Sequence, residues 1–363
     1  MIENIAIQHE PEFGGVYIEM TIEDFNEKGF EYGDSVDVIF SNGYALEDIP
    51  YYNGYYVDAG DPLLIAYPGY DYIKAAVNYG EDLWETAELK LGEDAEPVVT
   101  LFQSLDLEEH DTATVVLRER GKYKDIQIAR DIHYKDERNL FPSDEVFANF
   151  RNMTVGDLRE GAVYRSASPC DNQHNRAPYV DALIADAGVN CILDLADNDV
   201  KINRYMAADD FNSPYFQSLY DDGKVIPLAM NMNFFSDEFK EKLAYGLTAM
   251  SEADGPYLIH CTEGKDRTGF VCMLVEMLAG ASYQEIVDDY MVTYDNYYEI
   301  TEEKDKQKYD IILDKNLIAM MKTVVGDDEA DLTTADLAAY ARQYLIDCGM
   351  EETAIDTLLE KIR

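Results

Sequence analysis

The sequence predicts an α/β fold, a mostly parallel central sheet flanked by helices, preceded by a small, mostly β barrel. Three observations carry this prediction. Residues 1–135 hold short apolar or alternating runs separated by turn dipeptides. Beyond residue 140, short apolar runs alternate with helical patterns. Residues 256–279 read as a strand, a glycine-containing loop and an apolar helix in direct succession. The chain is long enough for two units that each bury a core, and the expected division is 1–135 and 140–363.

In the first region, residues 16–20, 36–40, 55–58 and 63–66 read as strands. Asn42-Gly43, Asn53-Gly54 and the Gly-Asp pairs at 33–34 and 60–61 supply the turns. Residues 113–118 and 123–129 read as a hairpin, and only residues 82–90 look helical. Residues 134–146 are expected to be a linker. Then come a helix at 177–187, strands at 190–195 and 224–228, an amphipathic helix at 236–253, the strand at 256–260 and the apolar helix to 279. Residues 283–297, 306–325, 334–348 and 352–362 are helical in pattern. Strands interleaved with helices call for a parallel sheet covered on both faces. Ligands of such sheets bind at the carboxyl ends of the strands.

The stretch from His260 to Gly269, His-Cys-Thr-Glu-Gly-Lys-Asp-Arg-Thr-Gly, carries the chemistry. The first N–H groups of a helix lack intrahelical partners, so strand, tight loop and helix start form an anion-binding cup. The backbone of Thr262, Glu263, Gly264, Lys265, Asp266 and Arg267 would line it. Arg267 adds a planar fork suited to two phosphate oxygens. The same cup favours the thiolate of Cys261 over the thiol. Arg151, Arg165, Arg176, Lys265 and Arg267 are expected around it, Arg165 and Arg176 as possible substrate-binding groups.

The decapeptide resembles the signature loop of the protein-tyrosine phosphatase superfamily. Its Lys-Asp-Arg variant is most similar to bacterial tyrosine phosphatases that also accept phosphoserine, phosphothreonine or phosphoinositides. Phe147-Ala148-Asn149-Phe150-Arg151 and Val163-Tyr164-Arg165-Ser166-Ala167-Ser168-Pro169 resemble the Asn-Phe-Arg and Tyr-Arg-Ser segments that open that domain. The likeness covers about residues 140–363. It implies a tyrosine-phosphatase-like fold and phosphomonoester hydrolysis through a cysteinyl-phosphate at Cys261, with Thr268 donating a hydrogen bond to the sulfur or, equally, capping the helix backbone. It places the general acid in the loop after an earlier strand, residues 192–199. Asp197 is the first choice there and Asp266 its competitor within the catalytic loop. Lys265 at the rim suits a ligand with more than one phosphate, or else neutralises Glu263. The implied substrates are phosphorylated proteins, phosphoinositides or inositol phosphates. No cofactor and no metal is required. The competing readings are a catalytically weak phosphate-binding module and a sulfur-transfer enzyme; Arg267-Thr268-Gly269 disfavours the second.

Residues 10–102 resemble the C-terminal β-barrel domain of S-adenosyl-L-methionine hydroxide adenosyltransferases, through Gly33-Asp34-Ser35-Val36-Asp37-Val38, Gly60-Asp61-Pro62-Leu63-Leu64 and 73–80. The Phe-Gly-Asn segment of that family reads Phe13-Gly14-Gly15 here, so an adenine-binding amide has no counterpart. A scaffold for packing or partner contact is expected, because fold alone does not transfer function.

Composition sets the remaining bounds. A net charge of −44 excludes non-specific nucleic-acid binding, which needs a basic surface. It also repels phosphorylated ligands at long range, but the Debye length of about 8 Å at physiological salt screens distant carboxylates. The 5 cysteines are scattered, so neither a disulfide framework nor a zinc site is expected. Cys170 reads as a loop thiol, with a place near the site as the alternative, and His260 as a packed neighbour shaping the loop. No apolar run is long enough to span a membrane. No leader pattern is visible, so a soluble protein is expected, cytoplasmic or exported with its leader removed.

Overall fold

The computed structural model describes every residue except 12, 59, 91–110 and 235. Residues 91–102 of the barrel resemblance therefore lie outside the described residues. The chain divides into two compact units, Met1–Ile132 and His133–Arg363.

The first unit comprises β1 (Ile2–Glu10), β2 (Gly15–Ile18), α1 (Ile22–Glu27), β3 (Ser35–Phe40), β4 (Ala45–Tyr52), β5 (Pro62–Ile65), β6 (Ile73–Val77), α2 (Leu83–Thr86), β7 (Thr112–Glu119) and α3 (Lys124–Arg130). Its strands close into a barrel in the order β1-β2-β6-β5-β4-β3-β7. Alternate residues such as Val36, Val38 and Phe40 fill the interior.

Three local expectations are corrected here. Residues 123–129 do not form the second arm of a hairpin. Both edges of β7 are already taken, by β1 and β3, so the chain continues as α3. Residues 55–58 are not a strand. β4 and β5 run parallel, so the chain between them must cross back over the sheet. Residues 22–27 form a helix, started by the Thr21 side chain, which accepts from the Asp24 amide. The Phe13-Gly14-Gly15 segment also gains a physical reason. A Cβ on Gly15 would lie 2.7 Å from Cδ of Lys74, whose buried stem crosses that glycine to bring Nζ 3.1 Å from Glu10.

The second unit contains a 3₁₀ turn (Arg138–Leu140), α4 (Asp144–Phe147), β8 (Arg151–Asn152), β9 (Val163–Ser166), α5 (Ala177–Asp186), β10 (Cys191–Asp194), α6 (Asp199–Met206), α7 (Pro214–Asp221), β11 (Val225–Pro227), α8 (Asp237–Glu252) and β12 (Tyr257–His260). They are followed by α9 (Asp266–Leu278), α10 (Tyr283–Tyr298), α11 (Lys306–Ile312), a π-helical turn (Leu313–Ile318), α12 (Ala319–Val325), α13 (Leu337–Asp347) and α14 (Glu352–Ile362). The sheet order is β11-β10-β12-β9-β8, parallel except for β8 at one edge. Alternation along β10 serves both faces. Ile192 packs with Ile184, Ile202 and Phe216 of α5, α6 and α7. Leu193 faces α8, where a Cβ on Gly246 would come 3.0 Å from it. Helix α9 runs apolar all round because it is buried from Thr268 to Leu278. Register sets Ser166, His260 and Asp194 side by side at the carboxyl ends of β9, β12 and β10. No helix among the described residues is long and apolar enough to cross a membrane.

Candidate active site

The segment between β12 and α9 is a loop in which four consecutive carbonyls, Cys261 to Gly264, are held by groups outside it. Cys261 O lies 3.3 Å from Nδ1 of His260, and Thr262 O accepts from the Ser168 amide at 3.1 Å. Glu263 O accepts from the Tyr297 hydroxyl at 2.6 Å. Gly264 O accepts from Arg165 Nη2 at 3.1 Å and Asn149 Nδ2 at 3.3 Å. The amides of residues 262–265 donate to nothing among the described residues. Amides left free around a helix start are the physical basis of anion binding. Gly264 sits at φ +69°, and a Cβ there would be 2.2 Å from Ser166 O, so only glycine fits this curl.

Cys261 is buried at the base of this loop. Arg267 donates from Nη1 to Met230 O at 3.1 Å and from Nη2 to Thr262 Oγ1 at 3.3 Å, while its Nε has no hydrogen-bond partner among the described residues. Thr268 Oγ1 is buried and makes no hydrogen bond among the described residues, so the expected bond to the sulfur is not made here.

Lys265 does not stand free at the rim. Its ammonium lies 3.2 Å from Glu263 and 3.7 Å from Asp266, and donates to the hydroxyls of Tyr134 and Tyr298 at 3.3 Å each. Burial works against that charge, but Asp266, Tyr298 and Glu263 push the lysine pKa well up. Tyr134 thereby joins the site, and residues 134–146 are more than a linker.

Beneath the loop lies a buried acidic pair. Asp194 Oδ1 accepts from the amides of Ala196 and Asp197, and its Oδ2 has no hydrogen-bond partner among the described residues. Asp197 is 1% exposed, its Oδ2 is also unpartnered, and Lys201 stands 3.6 Å away. Burial pushes both carboxyls up to about 6, the Asp194 charge adding to the effect on Asp197. Burial also lowers His260 to about 4, which leaves it neutral; its Nε2 faces Asp194 Oδ2 at 3.9 Å. Cys170 Sγ completes a group of three metal-ligating atoms with Asp194 and Asp197, all within 4.8 Å of one another. That set offers three donors, one fewer than a closed tetrahedral site uses.

The expected ring of cations is reduced to Arg267. Arg165 and Arg176 are buried and their guanidiniums are engaged by protein carboxylates and carbonyls, so both are corrected from substrate-binding candidates to structural groups. Arg165 donates to Asp289 Oδ2 at 2.7 Å, and Arg151 donates from Nε to Asp289 Oδ1 at 2.8 Å. Arg176 is sandwiched between the rings of Phe147 and Tyr297, at 4.6 and 4.8 Å, and donates to Asp136 and to the carbonyls of Phe147, His174 and Lys135. Asp289, Tyr297 and Met230 were not legible from sequence. Asn149 was, as part of the Asn-Phe-Arg segment. It adopts φ 49°, donates to the loop and accepts from Arg151 and Asn296.

A model described as the tyrosine phosphatase family matches residues 146–362. The triple specificity protein phosphatase PtpB of Mycobacterium tuberculosis is 26% identical over 147 residues, 34% of this chain and 53% of that protein. The chain thus spans about half the length of the curated relative it matches. Among solved structures, the core catalytic domain of the PP-IP phosphatase SIW14 from S. cerevisiae, in complex with citrate, is 20% identical, with a TM-score of 0.28, covering 48% of this chain and 91% of that one. TpbA of P. aeruginosa in complex with pTyr is 17% identical, with a TM-score of 0.26, covering 47% and 94%.

Proposed function

The chain belongs to the tyrosine phosphatase family, and from that premise we propose that it hydrolyses phosphomonoesters, phosphotyrosine first among them, through a cysteinyl-phosphate on Cys261. The observation that carries the reading is the polarity of the loop. Four consecutive carbonyls, Cys261 to Gly264, are held outward, while the amides beside them stay unpartnered next to a cysteine and an arginine. Such an arrangement stabilises the equatorial oxygens of a phosphoryl group in flight. In the first step the Cys261 sulfur bonds to phosphorus and the ester P–O bond breaks. The leaving oxygen takes the proton of Asp197. In the second, water attacks the phosphocysteine, returns a proton to Asp197, and phosphate departs with the thiolate restored.

Asp197 is favoured over Asp266 because burial raises its pKa to about 6, whereas Asp266 lies 3.7 Å from the Lys265 ammonium. A carboxyl that must hold its proton makes the rate fall as pH rises past that value. Asp197→Asn is therefore expected to slow hydrolysis of alkyl phosphates about 100-fold or more and to remove that fall. Aryl phosphates with good leaving groups should be little affected. If Asp266→Asn gives this pattern instead, the acid is Asp266.

The penned Lys265 weakens the expectation of a second phosphate at the rim, so phosphotyrosine in proteins is proposed ahead of phosphoinositides and inositol phosphates. A phosphate-release panel over phosphotyrosine, phosphoserine and phosphothreonine peptides, phosphoinositides and inositol polyphosphates tests this. No vanadate-sensitive release from any of them would defeat the proposal. Gly264→Ala probes the loop separately. The new methyl cannot stay 2.2 Å from Ser166 O, and a displacement of about 1 Å is expected to cost about 100-fold in kcat. Near-normal turnover in that variant would show that the curl is not needed.

A further inference from the structure

A second group of cations gathers in a cavity whose lining includes none of the loop residues or the groups that hold them. The cavity, about 690 Å³, lies where α8, the π-helical turn, α12 and α13 meet. Lys240 of α8, Lys315 of the π turn and Lys322 of α12 line it, with Asp314 and Asp328 as the carboxylates and Tyr344 of α13 in its wall. Lys315 is neutralised by Asp314 at 3.1 Å. No ion pair or hydrogen bond engages the ammonium of Lys240 or Lys322 among the described residues. Tyr344 is 8% exposed, and Cys348 beside it serves its hydroxyl as a hydrogen-bond partner.

The π turn contributes to the placement. On its inner side Asn316 donates to the Tyr294 hydroxyl at 2.9 Å, while Asp314 and Lys315 line the cavity. Such turns often stand at binding sites. The cavity is within the usual range for small-molecule sites and is much larger than one phosphate. One exposed charge pair contributes at most about 1 kcal/mol, so a single anionic group would bind feebly. Two unpaired ammoniums on different helices favour a ligand with a charge for each.

We propose that this cavity binds a small polyanion carrying two or more phosphate or carboxylate groups, engaged by Lys240 and Lys322 together. The proposal does not depend on the catalytic reading, and inorganic tripolyphosphate is the probe. Calorimetric titration is carried out on the full chain in a Cys261→Ser background, to prevent turnover. One arm adds Lys240→Met and Lys322→Met, which keep the apolar stems; another adds Arg267→Ala. The lysine double variant should bind tripolyphosphate about tenfold or more weakly, with an unchanged melting temperature, and the Arg267→Ala arm should retain the cavity affinity within about twofold. Equal affinity in the lysine variant overturns the proposal. So does loss of all binding in the Arg267→Ala arm, which would assign the polyanion to the catalytic loop alone. Inorganic phosphate binding the cavity as tightly as tripolyphosphate would likewise refute the two-point engagement.

Discussion

Cys261→Ser is expected to lower kcat for aryl phosphate hydrolysis by on the order of 10⁴-fold or more, while phosphate affinity stays within about threefold. The two halves of this expectation come from different parts of the site. Phosphate binding is assigned to the amides of residues 262–267 and to Arg267, none of which the substitution touches. The loop carbonyls remain fixed by His260, Ser168, Tyr297, Arg165 and Asn149, so the cup should keep its shape. Only the nucleophile changes, from a sulfur to a far less nucleophilic hydroxyl oxygen. Acid-quenched samples of the wild type should carry phosphate on a cysteine, and those of the variant should not. Activity persisting at more than a few per cent would mean that another group attacks phosphorus and that the assigned chemistry is wrong.

Asp289→Asn should produce the largest loss of stability of any single charge removal in the second unit, about 3–5 kcal/mol. The Asp289 side chain is 9% exposed and bridges two guanidiniums, those of Arg151 and Arg165. Burial by itself would raise its pKa, but the two arginines hold it far below the ordinary carboxylate range. Glu276 beside it is driven the other way, first by burial and then by the Asp289 charge. Removing the one anion leaves two arginines facing each other in a dry interior. Because Arg165 also holds Gly264 O, the loop should loosen as well.

The sign of the pH dependence follows from the depressed pKa. The stabilisation is fully present above the unfolded-state value of about 3.9 and is lost as pH falls toward the folded-state value. The deficit of the variant should therefore be constant from about pH 5 upward and shrink in acid. Urea unfolding at both ends of that range measures it, with the exposed neighbour Asp288→Asn as a control. A variant within about 0.5 kcal/mol of wild type at neutral pH would show that the bridge contributes nothing.

Much of the site was legible because its chemistry is local. Ten consecutive residues, His260 to Gly269, encode the strand end, the glycine that must curl and the helix start, and no distant contact is needed to read them. The buried-strand pattern of residues 190–195 and the apolar run from Phe270 to Ala279 likewise point to a covered parallel sheet and a buried helix. The Asn-Phe-Arg and Tyr-Arg-Ser segments are as legible, but sequence does not say whether the arginines expected around the cup, Arg151, Arg165 and Arg176, stay free. In the fold each meets a carboxylate or carbonyl far away in sequence, Arg165 and Arg151 at Asp289 and Arg176 at Asp136.

The sequence by itself determined which atoms can bind and attack a phosphate, since loop curvature, amide polarity and a nearby arginine are properties of a short segment. The tertiary structure alone decided which cations remain available, whether Lys265 is free or penned, and that residues 123–129 become a helix once β1 and β3 have taken both edges of β7. The physical reason is the same in each case. A charge or a strand edge is neutralised by whatever the fold brings beside it, and that neighbour can lie more than a hundred residues away along the chain.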